Sequence, residues 1–454
     1  MKKIVAIMLL IAVLFTGTVI PIDDSYGLTV PPITATSGIV IEKNTGQVLY
    51  DKDMHGQREP ASTTKIMTCI LALENLALDQ VVVIDEETSF TGGSRIYLIE
   101  DEEITVEHLL YALMLESAND AAVALAKAVS GSISAFAVRM NEKAKELGAL
   151  NTNFVNPNGL HEEGHLSTCY DMAMIAKYAM DNPKFRELVT TYRHTIPATN
   201  KQPERYMYNT NRLIYDNETK VTVNGQTRGC KYDGCTGIKT GYTPQAGGCL
   251  VSGAKINDTE VIAVVMQSSD LGRFEDSIYL LDYALGSYHT TKAVEEGTVV
   301  GTAEVKKGEV KEVDVKAVQD IVVLLPMEAS TSVVRGELEL NQDIKAPINE
   351  GQVLGKYNVY EGDKLYASTD VIAVNPIAKG TILAPLGISN AKAKIIGIIF
   401  LVLLLFIAAL VIVYFILLAR KKKRIKALRE KRAMEIAMER KARQKDQELR
   451  DWFL

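Results

Sequence analysis

Three short groups of residues, met in chain order, could do chemistry together. Ser62-Thr63-Thr64-Lys65 sets a hydroxyl and an amine at i and i+3, which share a face if the segment is helical. A serine hydroxyl is a weak nucleophile and needs a base at its side. Lysine serves as that base only when burial or a second cation lowers its pKa. A helix starting at Ser62 would also offer backbone N–H groups to a developing oxyanion. Ser117-Ala118-Asn119 follows the apolar run Leu109–Leu115 and sets a hydroxyl and a carboxamide two residues apart. From a loop between helices, the serine can relay a proton to a leaving group, and the amide can orient the lysine and a substrate carbonyl. Lys239-Thr240-Gly241, on an edge strand, would supply fixed positive charge, a hydroxyl for a carboxylate, and a residue that lets substrate backbone approach closely. Taken singly, these are a capped helix start, a capping turn and a strand with a turn. Their joint occurrence in this order is the informative feature.

The elements that must position these groups follow from periodicity. Gly38–Glu42 and Gln47–Tyr50 flank Lys43-Asn44-Thr45-Gly46, the pattern of a β-hairpin. From Ser62 to about Leu76 the apolar residues Ile66, Met67, Ile70, Leu71 and Leu73 form a helical stripe. Helices are expected at Val106–Leu115, Ala121–Val129, Ser134–Leu147 and Thr168–Met180. Strand character returns at Lys220–Val223, Gly248–Lys255 and Glu260–Gln267, the last two paired around Asn257-Asp258, before a helix at Phe274–Leu285. A hairpin, a helical middle and returning strands give an α+β architecture: one sheet built from both ends of the segment, with a helical insertion. Beyond His289 the chain turns to short alternating runs with turns at Lys307-Gly308, Asn349-Glu350-Gly351 and Glu361-Gly362-Asp363, which read as a small all-β stalk.

The two ends and the charge balance supply the location. Met1-Lys2-Lys3 followed by the apolar run Ile4–Phe15 reads as an export signal, with cleavage after Gly27 or, alternatively, an uncleaved anchor ending near Ile20. Ile395–Ala419 is an uninterrupted apolar run long enough to span a bilayer. Arg420–Arg424 follows it as a basic cluster, which places that side in the cytoplasm and the body outside. The tail from Arg420 carries 14 Lys and Arg against 6 Asp and Glu, whereas the preceding 419 residues carry 36 against 50. An acidic body excludes a nucleic-acid-binding role for it. The tail reads as topogenic charge and a helix on anionic lipid; a cytoplasmic partner-binding helix ending at Trp452-Phe453-Leu454 is the sharper reading. Five cysteines leave at least one thiol unpaired; Cys230 and Cys235 could close a small disulfide loop, and no second Cys or His pair gives them zinc-site spacing. No cofactor or metal is expected. The divisions are then signal 1–27, linker 28–37, catalytic domain 38–288, all-β domain 289–385, transmembrane helix 395–419 and cytoplasmic tail 420–454.

With the three motifs in order inside an exported chain, the sequence resembles the low-molecular-mass penicillin-binding proteins, the serine-type D-Ala-D-Ala carboxypeptidases of peptidase family S11. The resemblance extends over Glu59–Thr68, Glu116–Ala121, Asn156–Leu160, His165–Thr168 and Gly237–Thr243 with Ala246-Gly247, and covers about Ser37 to Leu285. Ala346-Pro347-Ile348 with Gly351-Gln352 resembles the β domain that follows in that family. It implies a penicillin-binding/β-lactamase-like transpeptidase fold, Ser62 as acylated nucleophile and Lys65 as its base. It further implies Ser117 and Asn119 as the second wall, Lys239, Thr240 and Gly241 binding substrate, and Arg273 holding its carboxylate. Backbone N–H groups of Ser62 and Tyr242 would form the oxyanion hole. The implied partners are peptidoglycan stem peptides, β-lactams as covalent inhibitors, and membrane lipid. Ala118, Asn158 and Tyr242 depart from what some relatives carry, and a full membrane span departs from the family's amphipathic anchor. A class A β-lactamase is the nearest rival, but the Glu-x-x-Leu-Asn element it would need is missing: Glu146 precedes Leu150-Asn151 by one residue too many. A catalytically silent wall-sensing protein is the alternative from another class.

Overall fold

The computed structural model describes residues 31–329 and 333–452. The export signal expected at 1–27, and the start of the linker, lie outside the described residues. Two compact units are present: one holds the chain up to Thr291 together with Val322–Val333, the other Lys292–Ile321 and the chain from Val334 onward.

The first unit is built on an antiparallel sheet of five strands, β1 (Ser37–Glu42), β2 (Val48–Lys52), β3 (Cys235–Thr243), β4 (Gly247–Ile256) and β5 (Thr259–Ser268), in the order β2-β1-β5-β4-β3. The first hairpin and the last three strands therefore meet in one sheet, as the α+β reading requires. Ile39 faces Val264, Val264 faces Val251, and Val251 faces Lys239 across neighbouring strands, so the register carries Lys239 to the sheet's edge. The three central strands, β1, β5 and β4, are buried on both faces over most of their length.

Between β2 and β3 come the helices α1 (Lys65–Asn75), α2 (Val106–Leu115), α3 (Asn119–Ser130), α4 (Ile133–Glu146), α5 (Cys169–Ala179) and α6 (Pro183–Thr190); α7 (Gly272–Ser287) follows β5 and packs against the sheet. Helix α1 is buried along its first eight residues, Lys65 to Ala72, which explains an apolar content on every side rather than one stripe. Ile66, Met67 and Ile70 join Leu109, Leu113, Leu125 and Phe185 in one core with Ile39 and Val264 of the sheet. Helix α3 ends at Gly131, whose left-handed φ of 78° lets its N–H reach Lys127 O at 2.7 Å. Lys220–Val223, read as strand, pairs with Gln226–Gly229 in a separate hairpin outside the sheet, and a further hairpin joins Arg193–Ile196 to Arg205–Tyr208. Helix α6 and this second hairpin were not legible in the periodicity, being eight and four residues long.

The second unit carries five antiparallel strands, β6 (Val299–Glu304), β7 (Glu312–Ala317), β8 (Val334–Leu340), β9 (Val353–Glu361) and β10 (Lys364–Ala373), in the order β6-β7-β10-β9-β8. Ala303, Val305, Val315, Ile348, Val371 and Ile377 form its core. It ends in α8 (Asn390–Trp452), a single helix of 63 residues that contains the expected span and is apolar enough to cross a membrane. All five cysteines are free thiols, so the optional Cys230–Cys235 loop is not closed.

Candidate active site

The nucleophile candidate sits on a tight turn. Ser62 lies in a 3-10 turn, Ala61–Thr64, ahead of α1, rather than at the start of the α-helix itself. Ala61 holds a left-handed φ of 47°, a conformation an alanine adopts only when its surroundings impose it. Pro60 O accepts from the Thr63 N–H and the Thr63 hydroxyl, closing the turn. A Cβ on Gly241 would lie 3.0 Å from Ser62 N and 3.1 Å from Pro60 O, so β3 runs directly against the turn and a side chain there would have to push it back by a few tenths of an ångström. Tyr242 follows on the same strand and is 57% exposed.

Lys65 is fully buried. Its Nζ lies 2.9 Å from Ser62 Oγ, 2.7 Å from Asn119 Oδ1 and 2.6 Å from the carbonyl oxygen of Asn158. None of these partners is charged. Burial, with the positive charge of Lys239 added, pulls the Lys65 pKa well below that of a free lysine, and Asp120 opposes the shift only in part.

Asn119 opens α3, so only Ser117 and Ala118 belong to the inter-helix loop expected for the motif. Ser117 takes a left-handed φ of 59°, and its buried Oγ makes no hydrogen bond among the described residues. Asn119 Nδ2 donates to Gly92 O at 2.8 Å, which fixes the orientation in which its Oδ1 faces Lys65. Asp120, buried, accepts from the N–H groups of Ile96 and Leu98, and so ties the 92–98 segment to the same wall.

Lys239 is 1% exposed, and burial together with the Arg273 guanidinium lowers its pKa to about 7, with Glu116 pulling the other way. Thr240 Oγ1 lies 2.7 Å from Thr210 Oγ1. Arg273 donates to Gly241 O and to Asp270, each at 2.7 Å, and this places its charge at the end of β3. The structure thus brings Ser62, Lys65, Asn119, Lys239, Thr240, Gly241 and Arg273 into one constellation, with Ser117 on the wall beside Asn119.

Four contributors were not picked out as site residues. The Asn158 carbonyl is the third Lys65 partner. His165 accepts from the Val155 N–H at Nδ1 and contacts Thr64 Oγ1 through Nε2 at 2.9 Å, which makes it a neutral imidazole donating from Nε2. Burial and the nearby Lys65 lower its pKa to about 4. Glu116 accepts the Tyr208 N–H at 2.7 Å, and Thr210 N donates to Leu115 O. The Tyr208–Thr210 segment therefore bridges the wall of the second motif and the strand of the third. Glu116 directly precedes Ser117, the one sequence signal available for it; Thr210 had none. The glutamate that the β-lactamase alternative would need, Glu146, is a surface residue paired with Lys143.

An antiparallel sheet with its helices inserted between strands, and a serine–lysine pair against the edge strand, is the arrangement of the penicillin-recognising serine acyl-transfer domains. A family model for D-alanyl-D-alanine carboxypeptidases, peptidase family S11, matches residues 25–270, and one for the C-terminal domain of penicillin-binding protein 5 matches 288–379. The D-alanyl-D-alanine carboxypeptidase DacF of Bacillus subtilis is 36% identical over 351 residues, 76% of this chain and 86% of that protein. The D-alanyl-D-alanine carboxypeptidase of a Streptomyces species is 35% identical over 60% of this chain and 94% of its own length. Among solved structures, penicillin-binding protein 5 of Haemophilus influenzae superposes with a TM-score of 0.63 at 28% identity, covering 78% of this chain and all of that one. The chain belongs to the S11 family of D-alanyl-D-alanine carboxypeptidases.

Proposed function

We propose that this chain is a membrane-anchored carboxypeptidase that removes the terminal D-Ala from peptidoglycan stem pentapeptides through an acyl-enzyme on Ser62. The observation that carries the reading is the buried Lys65 amine, 2.9 Å from Ser62 Oγ and without a carboxylate partner. A neutral amine there accepts the Ser62 proton as Oγ attacks the carbonyl carbon of the penultimate D-Ala. The tetrahedral oxyanion faces the backbone N–H groups assigned to Ser62 and Tyr242. Collapse breaks the peptide bond, and the departing D-Ala amine takes a proton passed from Lys65 through Ser117. Water then attacks the acyl carbon, giving a proton to the same base; the bond from that carbon to Ser62 Oγ breaks, Oγ takes the proton back from Lys65, and the shortened peptide leaves as a carboxylate. Lys239, Thr240 and Arg273 hold the substrate's terminal carboxylate. A β-lactam enters as a mimic of the dipeptide, and because its leaving group stays tethered, the acyl-enzyme persists.

The catalytic unit acts outside the cytoplasm, with 395–419 spanning the membrane and the basic tail inside; the charge asymmetry on either side of the span supports this orientation. The decisive experiment is incubation with a pentapeptide ending in D-Ala-D-Ala and mass detection of free D-Ala. Wild type releases it and Ser62→Ala does not. Failure of labelled penicillin to attach covalently at Ser62 would sink the acyl-enzyme and favour a silent wall-sensing role.

A further inference from the structure

The start of α8 is fastened to the β unit by one side chain. The Asn390 N–H and Nδ2 donate to the two carboxylate oxygens of Glu309 at 2.8 and 3.0 Å. Nδ2 also donates to Lys379 O at 3.0 Å, and Oδ1 accepts from the Thr381 N–H at 3.0 Å. The helix is thereby held to two loops, 305–311 and 378–381. Ile395, where the apolar run begins, is five residues on, a rise of about 7.5 Å. Whatever surface these loops present lies about 7.5 Å, measured along the helix, from the residue at which the apolar run begins.

That surface has a definite chemistry. A groove of about 420 Å³ is lined by Lys307, Lys311 and Lys379, with Glu304 the single acid among its lining residues. Among the described residues none of the three lysines is ion-paired, whereas neighbouring Lys306 and Lys345 are both taken by Asp343. Their backbones are fixed: Lys307 O accepts from Gly380, Lys311 O from Val305 and Lys379 O from Asn390. Beside them Ile382 is 95% exposed and Leu386 75%, on a segment whose backbone is itself bonded into the 3-10 turn Ala384–Leu386. Large apolar side chains so exposed, set next to unpaired lysines at the foot of a membrane span, match a headgroup–acyl boundary: phosphates meet the ammonium groups and the apolar side chains enter beneath them.

We propose that this face of the β unit is a lipid-docking surface for anionic phospholipid headgroups, with Lys307, Lys311 and Lys379 taking the phosphates and Ile382 and Leu386 inserted. Since Asn390 locks the span to the same loops, docking fixes the tilt of the β unit on its anchor rather than leaving it to swivel. The proposal rests on the reading of 395–419 as a membrane span.

The test uses the full chain in lipid nanodiscs made either of phosphatidylcholine alone or with about one-third phosphatidylglycerol. Amide hydrogen exchange over 305–311 and 378–386 is compared between the two. Slower exchange in the anionic discs, by about fivefold for each lysine engaged, is expected. Lys307→Ser/Lys311→Ser/Lys379→Ser should abolish the difference, and Ile382→Ser should reduce it, while both variants still label with penicillin at the wild-type rate. Equal exchange in the two lipids, with the chain in the disc, overturns the proposal; so does a difference that survives the triple substitution. A chain that does not enter the discs at all overturns the span reading and the docking surface with it.

Discussion

Lys65 Nζ donates to Asn119 Oδ1 at 2.7 Å, so the second motif holds the base of the first. With Ser62 Oγ and Asn158 O, three acceptors surround an amine that has three N–H bonds when charged and two when neutral. The carbonyl of Asn158 and the amide oxygen of Asn119 can only accept. Loss of a proton therefore leaves the lone pair facing Ser62, and the hydroxyl becomes the donor in that contact. Neutrality of Lys65 and activation of Ser62 are one event.

Asn119→Asp tests that coupling with almost no change in shape. A carboxylate in place of the amide oxygen would hold Lys65 charged, against the lowering that burial gives it. Acylation of Ser62 by a penicillin at neutral pH should fall by about 10²- to 10⁴-fold, the usual worth of a positioned general base. The loss should shrink as pH is raised. A rate as fast as wild type would mean that Lys65 is not the base.

Lys239 gives the alkaline side of the profile. Its pKa of about 7 means that the free enzyme loses this charge as pH rises through neutrality, so kcat/KM for a carboxylate-bearing peptide should decline there. Burial is the largest influence on Lys239; of the charged groups bearing on it, Arg273 lowers its pKa and Glu116 raises it. Glu116→Gln keeps an oxygen for the Tyr208 N–H but removes the charge. The alkaline limb should then move to lower pH, by less than about one unit for a partly solvated charge. An unmoved limb would assign it to another group.

How far the sequence carried this reading depends on the range of the interactions involved. Lys65 and Ser62 are three residues apart, and Ser117 and Asn119 two apart, so each motif could be recognised within its own helix or loop. The sheet was legible because Ile39, Val251 and Val264 lie in apolar runs bounded by turns. What stayed hidden spans long separations: Asn158 reaches Lys65 over 93 residues, His165 reaches Thr64 over 101, and Glu116 reaches Tyr208 over 92. Two of these contacts also use backbone atoms, which carry no residue signature at all. The hairpin Arg193–Ile196 with Arg205–Tyr208 was missed for a different reason: four-residue strands are too short for a period of two to register.

His165 makes the catalytic unit sensitive to acid. Its imidazole is neutral in the fold, with a pKa near 4 against 6.5 for a free histidine. Between those values the unfolded chain binds a proton that the folded chain does not, so its contribution is fully present above pH 6.5 and is lost as pH falls toward 4. The total is about 3 kcal/mol. Urea unfolding, followed by loss of penicillin-reactive Ser62, should show the midpoint dropping across this window. In His165→Gln the midpoint should be lower at pH 7 and change less on acidification; a slope identical to wild type would exclude the histidine as the cause.

Gly159 places the backbone of the Asn156–Leu160 segment directly against the nucleophile's turn. Its φ is 79°, and a Cβ there would lie 1.8 Å from Ala61 O and 2.9 Å from Thr64 Oγ1. Ala61 has little room to give way: it already holds a left-handed φ of 47°, and the strand lies close behind it, where a Cβ on Gly241 would be 3.2 Å from Ala61 Cβ. Gly159→Ala must then push the segment away from the turn, and the adjacent Asn158 carbonyl leaves Lys65. Gly131→Ala is the matched control, with the same positive φ of 78° but nothing within 4 Å of the added carbon. The control should cost about 1 kcal/mol of stability, from backbone conformation alone, and leave acylation unchanged. Gly159→Ala should cost about 1 to 3 kcal/mol more from overpacking, and slow acylation at Ser62 even at temperatures where the variant is fully folded. If the two variants acylate alike, the Asn158 carbonyl has no part in holding the base.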